Sequence, residues 1–360
     1  MSSTKKTVVI AAGGTGGHIF PGLAVAQVLE QRGYHVVWAG NPAAMEGKLV
    51  PKQGVAIYPV VFYGLRGNGL KSWLMMPFHL MRSAWQSWRL CRKYKPVAVL
   101  GMGGYVSFVP LLMAKLLRIP TLIHEQNALA GQVNRLAARF VSKVLTHFPN
   151  TLPREQVVGN PVRSVSEQIV MPQTRFATRS GALKLLVLGG SLGAKALNEM
   201  VPQALAKIQL EQRPIVRHQS GAAHLDALKH NYEKAGVSAS CEAFIDNVLD
   251  AMLEADILIC RAGATTVAEV AALGVAALFV PYPFAVDDHQ THNAQVLVKQ
   301  SAAWLIQQRD LTVDGLVSFL NDLTRDELAS RAEKAYQIGQ RDAAQKVAEA
   351  VLSVADRKID

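Results

Sequence analysis

The segment at residues 260–274, CRAGATTVAEVAALG, contains a cation, two adjacent hydroxyls and a carboxylate among small residues. Residues 255–260 are apolar and predict a short buried strand, and the apolar spacing of residues 265–273 predicts a helix. The first N–H groups of such a helix lack internal partners and lie at the positive end of its dipole, which favours an anion such as a diphosphate. Glu269 lies one turn beyond Thr265, where its carboxylate can accept hydrogen bonds from ribose hydroxyls. An ordinary strand–helix unit of an α/β domain would show the same pattern.

A glycine-rich loop, GGTGGHIFP at residues 13–21, follows a predicted buried strand at residues 6–12. It does not match the dinucleotide fingerprint, because Ile19 occupies the position of the third glycine and no acid follows the second strand. The loop therefore suits the close approach of a phosphate or a sugar. His18 is its one titratable side chain, and a helix N-terminus disfavours the cationic imidazole, so His18 suits a neutral general base. A purely structural role in the turn is the alternative.

Two further strand ends in the first half carry glycine or polar residues. GMGGYVS at residues 101–107 and HEQN at residues 124–127 each accompany the end of a predicted strand. Open parallel sheets bind ligands at the carboxyl ends of their strands. We therefore expect these two segments to converge with His18 at one edge of a sheet.

The strand–loop–helix pattern starts again after a polar, linker-like segment at residues 164–181. The glycine loop GGSLGA at residues 189–194 follows a new strand, and further strands then alternate with helices. The predicted fold class is α/β, with two Rossmann-like doubly wound parallel-sheet domains facing across a cleft, where ligands commonly bind. The predicted domains are residues 1–163 and 164–339, with a C-terminal helix at about 340–360 that packs back on the first domain.

The charge of the chain is divided unevenly between its halves. Residues 1–163 contain 19 Lys and Arg against 4 Asp and Glu, a net charge of +15, whereas residues 164–360 have a net charge of −4. This asymmetry predicts an anionic partner for the first half, such as a membrane surface, a nucleic acid or a phosphorylated substrate. The three cysteines are widely separated and indicate neither a disulfide framework nor a zinc site, and the first residues show no signal peptide.

Apolar and aromatic residues recur on one face of a predicted helix within residues 70–94 and are interleaved with basic residues. Such a face suits an anionic bilayer surface, although packing on the central sheet would require the same spacing. Two uncharged runs, residues 96–114 and 270–286, approach the length of a membrane span, but each contains Gly and Pro and is interpreted as part of a buried parallel sheet. The predicted membrane patch consists of Leu74, Phe78, Met81, Arg82, Trp85 and Arg89.

Seven motifs stand in the order and spacing of one family: GGTGGHIFP, GMGGYVS, HEQN, VVGNPVR, GGSLGA, RAGATTVAE and DDHQTHNA. Over nearly its whole length the chain resembles the bacterial N-acetylglucosaminyltransferases that convert the first lipid-linked peptidoglycan precursor into the second. The resemblance implies a glycosyltransferase type B fold. It implies a hexosyltransferase that moves N-acetylglucosamine, with inversion, from UDP-N-acetylglucosamine to the 4-hydroxyl of undecaprenyl-diphospho-N-acetylmuramoyl-pentapeptide, converting lipid I to lipid II. The chain departs from the family at Leu192, where Gln is usual.

The resemblance also implies a role for each matching residue. Asn127 would bind the N-acetylglucosamine, Ile245 the uracil through its backbone, and Gln290 the sugar hydroxyls. The residues implied to bind UDP-N-acetylglucosamine are Thr15, Gly16, Gly17, Asn127, Arg163, Ser191, Ile245, Ala264, Thr265, Thr266, Val267, Ala268, Glu269 and Gln290. Those implied to lie at the acceptor diphosphate are Gly14, Gly103, Gly104 and Tyr105.

The predicted mechanism is an in-line displacement at the anomeric carbon, in which His18 takes the proton of the acceptor hydroxyl and Glu125 is the second candidate for the base. Asp287 and Asp288 are adjacent but belong to no carboxylate cluster, so neither a metal nor a cofactor is predicted. One alternative is a nonhydrolysing sugar-nucleotide epimerase or another glycolipid-forming glycosyltransferase on the same scaffold. A non-enzymatic nucleic-acid binder is a second alternative, for which the sequence shows neither an aromatic sheet motif nor a helix-turn-helix.

The cellular setting follows from the same resemblance. It implies a peripheral protein at the cytoplasmic face of the bacterial inner membrane, acting in peptidoglycan synthesis and thereby in cell-wall biogenesis, cell shape and cell division. The implied partners are UDP-N-acetylglucosamine, the undecaprenyl-diphosphate-linked muramyl-pentapeptide and an anionic membrane surface. Other cell-wall synthesis proteins are left open as partners, and nucleic acid is not expected.

Overall fold

The computed structural model describes residues 5–62, 70–162, 169–190 and 192–356, without the side chains of residues 70–74 and 356. The chain divides into two compact units, residues 1–164 with 341–360 and residues 165–340. In the described residues, each unit is built on one parallel sheet, of seven strands in the first and six in the second.

Helices lie on both faces of the sheet in the first unit. Its strands are β1 (Thr7–Ala12), β2 (His35–Gly40), β3 (Ala56–Pro59), β4 (Ala98–Gly103), β5 (Thr121–Glu125), β6 (Lys143–Thr146) and β7 (Glu155–Val157). Its helices are α1 (Gly16–Gln31), α2 (Met45–Leu49), α3 (Leu70–Tyr94), α4 (Tyr105–Leu116), α5 (Gln132–Ala137) and, from the end of the chain, α14 (Ala343–Asp356). The strand order is β3-β2-β1-β4-β5-β6-β7. The order reverses between β1 and β4, and ligands of open sheets bind at the carboxyl ends of the strands that flank such a point.

Strand β1 is buried on both faces, as its unbroken apolar sequence requires. Its alternate residues face opposite sides of the sheet. Val8 and Ile10 pack in one buried cluster with residues of α1 and α14, whereas Val9 and Ala11 pack in another with residues of α3 and α4. The C-terminal helix therefore completes the core of the first unit.

The second unit repeats this arrangement. Its strands are β8 (Lys184–Leu188), β9 (Ile215–Gln219), β10 (Ser240–Glu242), β11 (Ile257–Cys260), β12 (Ala277–Phe279) and β13 (Trp304–Leu305), in the order β10-β9-β8-β11-β12-β13. Its helices are α6 (Pro172–Ala177), α7 (Lys195–Lys207), α8 (Leu225–Ala235), α9 (Val248–Glu254), α10 (Ala264–Leu273), α11 (His289–Val298), α12 (Val313–Asp322) and α13 (Arg325–Ile338). Here the order reverses between β8 and β11, which places the loops after these two strands at the expected ligand edge.

Helix α6 lies within the segment that the sequence indicated to be a linker. Phe176 is buried in the core of the second unit. The buried Arg175 donates hydrogen bonds to the carbonyl groups of Leu273 and Gly274 at the end of α10. Because these contacts join residues about a hundred positions apart, local composition gave no sign of them.

The two uncharged runs belong to the sheets, as predicted. Residues 96–114 contain β4 and most of α4, and residues 270–286 contain the end of α10 and β12. Across the described ranges, no helix is both long enough and apolar enough to cross a bilayer.

Candidate active site

The loop after β1 holds the His18 ring against its own backbone. Gly14 has a φ of 89°, a left-handed conformation that favours glycine, and α1 begins two residues later at Gly16. The His18 Nδ1 atom lies 3.2 Å from the Gly13 carbonyl oxygen and 3.4 Å from the Thr15 Oγ1 atom. Because a carbonyl oxygen only accepts hydrogen bonds, Nδ1 carries the proton and the lone pair of the neutral ring resides on Nε2. This tautomer is the one that a base acting through Nε2 requires.

The second glycine loop packs directly on the first. Gly103 and Gly104 have φ angles of 103° and 80°. A Cβ atom at Gly103 would lie 2.8 Å from the His18 ring, and one at Gly104 would lie 2.4 Å from the Gly13 carbonyl oxygen. Only glycine permits this approach. Helix α4 begins at Tyr105, so its first N–H groups lie at the same edge of the sheet as His18.

Glu125 ends β5 with its carboxylate buried, at 2% exposure. One oxygen accepts hydrogen bonds from the backbone N–H of Asn127 at 3.0 Å and from its Nδ2 atom at 3.1 Å. The other accepts from the N–H of Gly131 at 3.1 Å and from Nδ2 of Asn134 at 2.8 Å. The carboxylate thus organises the loop at residues 127–134.

Two buried neighbours of Glu125 connect the strand ends. Gln126 donates to the Met102 carbonyl oxygen at 2.8 Å and lies 3.2 Å from His124 Nδ1, and His124 Nε2 donates to the Gly159 carbonyl oxygen at 2.8 Å. Burial lowers the pKa of His124 to about 4, so this ring is neutral near pH 7. His124 therefore supports the edge that His18 occupies.

In the second unit, α10 begins at the loop after β11 with Gly263 as its N-cap and with no side chain of the described residues capping it. The Thr265 Oγ1 atom is buried and makes no hydrogen bond within the described part of the chain. Val267 and Ala268 point into the core, so only their backbone groups are available to a ligand. Glu269 is 4% exposed. The helix start therefore offers backbone N–H groups and a hydroxyl to an anion.

Gln290 joins the start of this loop to the loop after β12. Its Oε1 atom accepts from the N–H of Ala262 at 3.2 Å and of Tyr282 at 2.9 Å. Because Oε1 already accepts two hydrogen bonds, the amide group that is available to a sugar hydroxyl is Nε2, which donates. Arg261 donates to the Val280 carbonyl oxygen at 3.0 Å, and its guanidinium therefore supports the same loop.

Gln219 joins the loops after β8 and β10. Its Oε1 atom accepts from the Gly190 N–H at 3.1 Å, and its Nε2 atom donates to the carbonyl oxygens of Gly190 and Ala243, each at 3.0 Å. Ile245 lies two residues beyond Ala243 and is 3% exposed. One buried carboxamide thus fixes the segment containing Ile245 relative to the glycine loop at residues 189–194.

Helix α3 carries the predicted membrane patch on its outer side. Phe78, Met81 and Trp85 are 55%, 64% and 55% exposed, and the Arg89 guanidinium lies 4.7 Å from the centre of the Trp85 ring. Leu90, on the inner side, is fully buried. The alternative that the patch packs on the central sheet is therefore wrong for these residues. The exposed members are Phe78, Met81, Arg82, Trp85 and Arg89.

For three of the predicted residues, the structure does not describe the side chain. Arg163 and Ser191 are not among the described residues, and the side chain of Leu74 is not described. Leu192, the departure from the family pattern, is 83% exposed. Within the described ranges, no three His, Cys, Asp or Glu side chains are grouped so that they could hold a metal ion.

Sequence reasoning missed two buried polar residues that support the loops, Gln219 and Glu46. Glu46 accepts a hydrogen bond from the Gly14 N–H at 3.3 Å. A signal for it existed, because the first 124 residues contain only two acids, Glu30 and Glu46. The sequence indicated Gln219 less clearly, because many other polar residues also stand at the ends of predicted strands.

The chain matches two domain models, the glycosyltransferase family 28 N-terminal domain over residues 8–146 and the C-terminal domain over residues 184–350. It is 50% identical over 364 residues to a Burkholderia mallei protein and to a Burkholderia thailandensis protein. Each alignment covers 100% of this chain and 99% of the relative. Both relatives are named UDP-N-acetylglucosamine–N-acetylmuramyl-(pentapeptide) pyrophosphoryl-undecaprenol N-acetylglucosamine transferase.

Solved structures show the same architecture. The crystal structure of Acinetobacter baumannii MurG is 40% identical, with a TM-score of 0.83, and the match covers 97% of this chain and 99% of that one. A glycosyltransferase of kitacinnamycin matches with a TM-score of 0.69 at 16% identity, covering 97% of this chain and 100% of that one, which shows a shared fold alone. The predicted type B fold is confirmed.

Proposed function

Because the chain belongs to glycosyltransferase family 28, we propose that it transfers N-acetylglucosamine from UDP-N-acetylglucosamine to undecaprenyl-diphospho-N-acetylmuramoyl-pentapeptide. The observation that carries the proposal is the 50% sequence identity, over the whole chain, to relatives that are named for this transfer. The reaction converts lipid I to lipid II and so supplies the unit from which peptidoglycan is built.

The second unit binds the donor. The diphosphate accepts hydrogen bonds from the first N–H groups of α10 and from the Thr265 hydroxyl, which the structure leaves without a partner among the described residues. Glu269 accepts from the ribose hydroxyls, Gln290 donates from Nε2 to the sugar, and the backbone at Ile245 contacts the uracil. These roles are supported by the hydrogen bonds of two carboxamides. Gln219 holds the loops after β8 and β10, and Gln290 holds the loop after β11.

The first unit binds the acceptor and supplies the base. The acceptor diphosphate lies at Gly14, Gly103 and the start of α4. As the 4-hydroxyl oxygen forms its bond to the anomeric carbon, its proton passes to His18 Nε2. The bond from the anomeric carbon to the β-phosphate oxygen breaks, and its electron pair leaves with UDP. Attack opposite the leaving group inverts the anomeric configuration. The start of α10 stabilises the charge that develops on the diphosphate.

We infer that His18, rather than Glu125, is the base. The His18 Nδ1 proton is held by the Gly13 carbonyl oxygen, so the basic lone pair belongs to Nε2. Both oxygens of Glu125 already accept two hydrogen bonds each from loop residues, and the carboxylate is almost fully buried. Protonating Glu125 would break the hydrogen bonds that shape this loop.

The first unit also attaches to the membrane surface. Its acceptor carries an undecaprenyl chain that remains in the bilayer, so the protein must work at that surface. Phe78, Met81 and Trp85 provide exposed apolar side chains, and Arg82 and Arg89 provide cations beside them. Peripheral attachment at the cytoplasmic face follows, because that is where the nucleotide sugar is available.

The test is the transfer of labelled N-acetylglucosamine to a synthetic lipid-diphosphate muramyl-pentapeptide. The proposed function predicts a labelled lipid only when that acceptor is present. The epimerase alternative predicts instead that UDP-N-acetylglucosamine is converted without any acceptor.

A further inference from the structure

Glu46 is a buried carboxylate directly beneath the first glycine loop. It lies in α2, is 2% exposed, and is separated from His18 by one peptide group. Its Oε1 atom accepts from the Asn41 N–H at 3.0 Å, and its Oε2 atom accepts from the Gly14 N–H at 3.3 Å. A buried carboxylate that binds two backbone N–H groups serves to fix the position of the backbone to which they belong.

The Gly14 N–H and the Gly13 carbonyl belong to the same peptide group. The N–H donates to Glu46 on one side, and the carbonyl oxygen accepts from His18 Nδ1 on the other, at 3.2 Å. Hydrogen bonds in a chain polarise one another, so an anion at the N–H makes the carbonyl oxygen a stronger acceptor. The Glu46 charge thereby favours the proton on Nδ1 and the lone pair on Nε2.

The Gly13–Gly14 peptide group is packed so closely that neither Gly13 nor Gly104 could carry a side chain. A Cβ atom at Gly13 would lie 2.4 Å from the Glu46 Oε1 atom, and one at Gly104 would lie 2.4 Å from the Gly13 carbonyl oxygen. The carboxylate and the second glycine loop therefore confine the peptide group from two sides.

We propose that Glu46 is a positioning residue for the base, which acts on His18 through the Gly13–Gly14 peptide group and fixes the tautomer of its ring. The role parallels that of a carboxylate bonded directly to a catalytic histidine, with one peptide group interposed. It rests on the proposed function only for its effect on turnover. The tautomer itself is a property of the free protein and is measured without substrate.

The variant that tests the inference is Glu46→Gln, which keeps the size of the side chain and removes its charge. One end of the amide is then a donor facing a backbone N–H. We expect kcat to fall by about 10-fold to 100-fold with KM for UDP-N-acetylglucosamine changed by less than about twofold. Glu30→Gln is the matched control, because Glu30 is the other acid of the first 124 residues and is exposed on α1. It should leave both constants unchanged.

The decisive readout is the ¹⁵N spectrum of the histidine rings at neutral pH. The His18 signals are identified by their loss in His18→Ala. The inference predicts that wild-type His18 is protonated on Nδ1 and that Glu46→Gln shifts the ring toward the Nε2–H tautomer. An Nε2–H ring in the wild-type protein would overturn it without any variant at position 46, and so would a folded Glu46→Gln protein with an unchanged His18 tautomer.

The same measurements separate this inference from the proposed function. If His18→Ala keeps full transfer activity, His18 is not the base, yet the tautomer shift in Glu46→Gln would still establish the coupling. If His18→Ala is inactive and Glu46→Gln turns over at the wild-type rate, the proposed function stands and the role of Glu46 is refuted.

Discussion

His18 and Glu125 are titratable side chains at the same edge of one sheet, and their surroundings give them different tasks. His18 is half-buried, and its Nδ1 atom contacts the Gly13 carbonyl oxygen and the Thr15 hydroxyl. Glu125 is held by four hydrogen bonds and is nearly inaccessible. A base must change its protonation during each turnover, which the His18 contacts allow and the Glu125 contacts oppose.

Replacing His18 by Ala should therefore reduce turnover and leave donor binding intact. General-base catalysis contributes about 100-fold to 10,000-fold, so a loss of kcat of at least about 100-fold is expected. Isothermal titration with UDP-N-acetylglucosamine should give a Kd within about twofold of wild type, because the residues proposed to bind the uracil, the ribose and the diphosphate lie in the second unit. An active His18→Ala enzyme would remove His18 from the mechanism.

Two buried histidines predict how stability depends on pH. Burial lowers the pKa of His124 to about 4 and of His218 to about 3, from an ordinary value of 6.5. Below pH 6.5, and down to the folded-state pKa values, the unfolded chain binds protons that the folded chain does not. The free energy of unfolding that comes from these two rings is therefore fully present above pH 6.5 and decreases on acidification. From pH 7 to pH 5 the loss should be about 2 kcal/mol from each histidine.

Urea unfolding at pH 7 and pH 5 measures this loss. The control is His124→Gln, in which the part of the pH dependence that comes from His124 should disappear even though the variant is less stable overall. An unchanged slope in that variant would show that His124 is not buried as a neutral ring.

At the scale of elements, α10 illustrates what could be predicted from the sequence. A local pattern of small and apolar residues predicts where this helix lies and which hydroxyls stand at its start. The structure has the helix at that place, with Gly263 as its N-cap. The direction of the Arg261 side chain did not follow, because its partner Val280 lies 19 residues away. Gln219 and Glu46 act on glycines 29 and 32 residues distant. Such supporting contacts depend on which strands are neighbours in the sheet, and a local sequence pattern does not predict that order.

Helix α3 shows the opposite case, in which the sequence pattern was clear and its meaning was open. A stripe of large apolar residues predicts burial as well as it predicts a membrane face. The structure excludes burial of this face, since Phe78 and Trp85 are more than half exposed while Leu90 on the same helix is fully buried, and membrane binding stays a prediction.

The double variant Phe78→Ser, Trp85→Ser should therefore bind phosphatidylglycerol-containing vesicles at least about tenfold more weakly, since two exposed apolar side chains are lost. Its melting temperature should match that of wild type. Leu90→Ser is the control from the inner side of the helix and should instead destabilise the protein by about 2–5 kcal/mol. Vesicle sedimentation and thermal melts measure the two effects, and unfolding of the double variant would contradict the assignment of the patch.

At the scale of the whole molecule, the two halves differ in charge, as the proposed binding of an anionic acceptor by the first half would require. The half with a net charge of +15 contains the predicted membrane patch and the glycine loops proposed to bind the lipid diphosphate, and the half with −4 contains the loops proposed to bind the nucleotide. The fold class and the family predicted from seven ordered motifs are confirmed. Most of the motifs lie at or just beyond a strand end, where a parallel sheet binds its ligands, and the last, at residues 287–294, lies at the start of α11.

The proposed transfer of N-acetylglucosamine to the lipid acceptor can be measured in a single reaction. The protein is incubated with labelled UDP-N-acetylglucosamine, a synthetic lipid-diphosphate muramyl-pentapeptide and EDTA, with His18→Ala as the matched inactive control. We expect that label moves to the lipid in the β configuration, that EDTA does not prevent it, and that the variant transfers little. Absence of labelled lipid with wild-type protein that binds UDP tightly would contradict the assigned acceptor, and transfer that EDTA abolishes and Mg²⁺ restores would contradict the metal-independent mechanism.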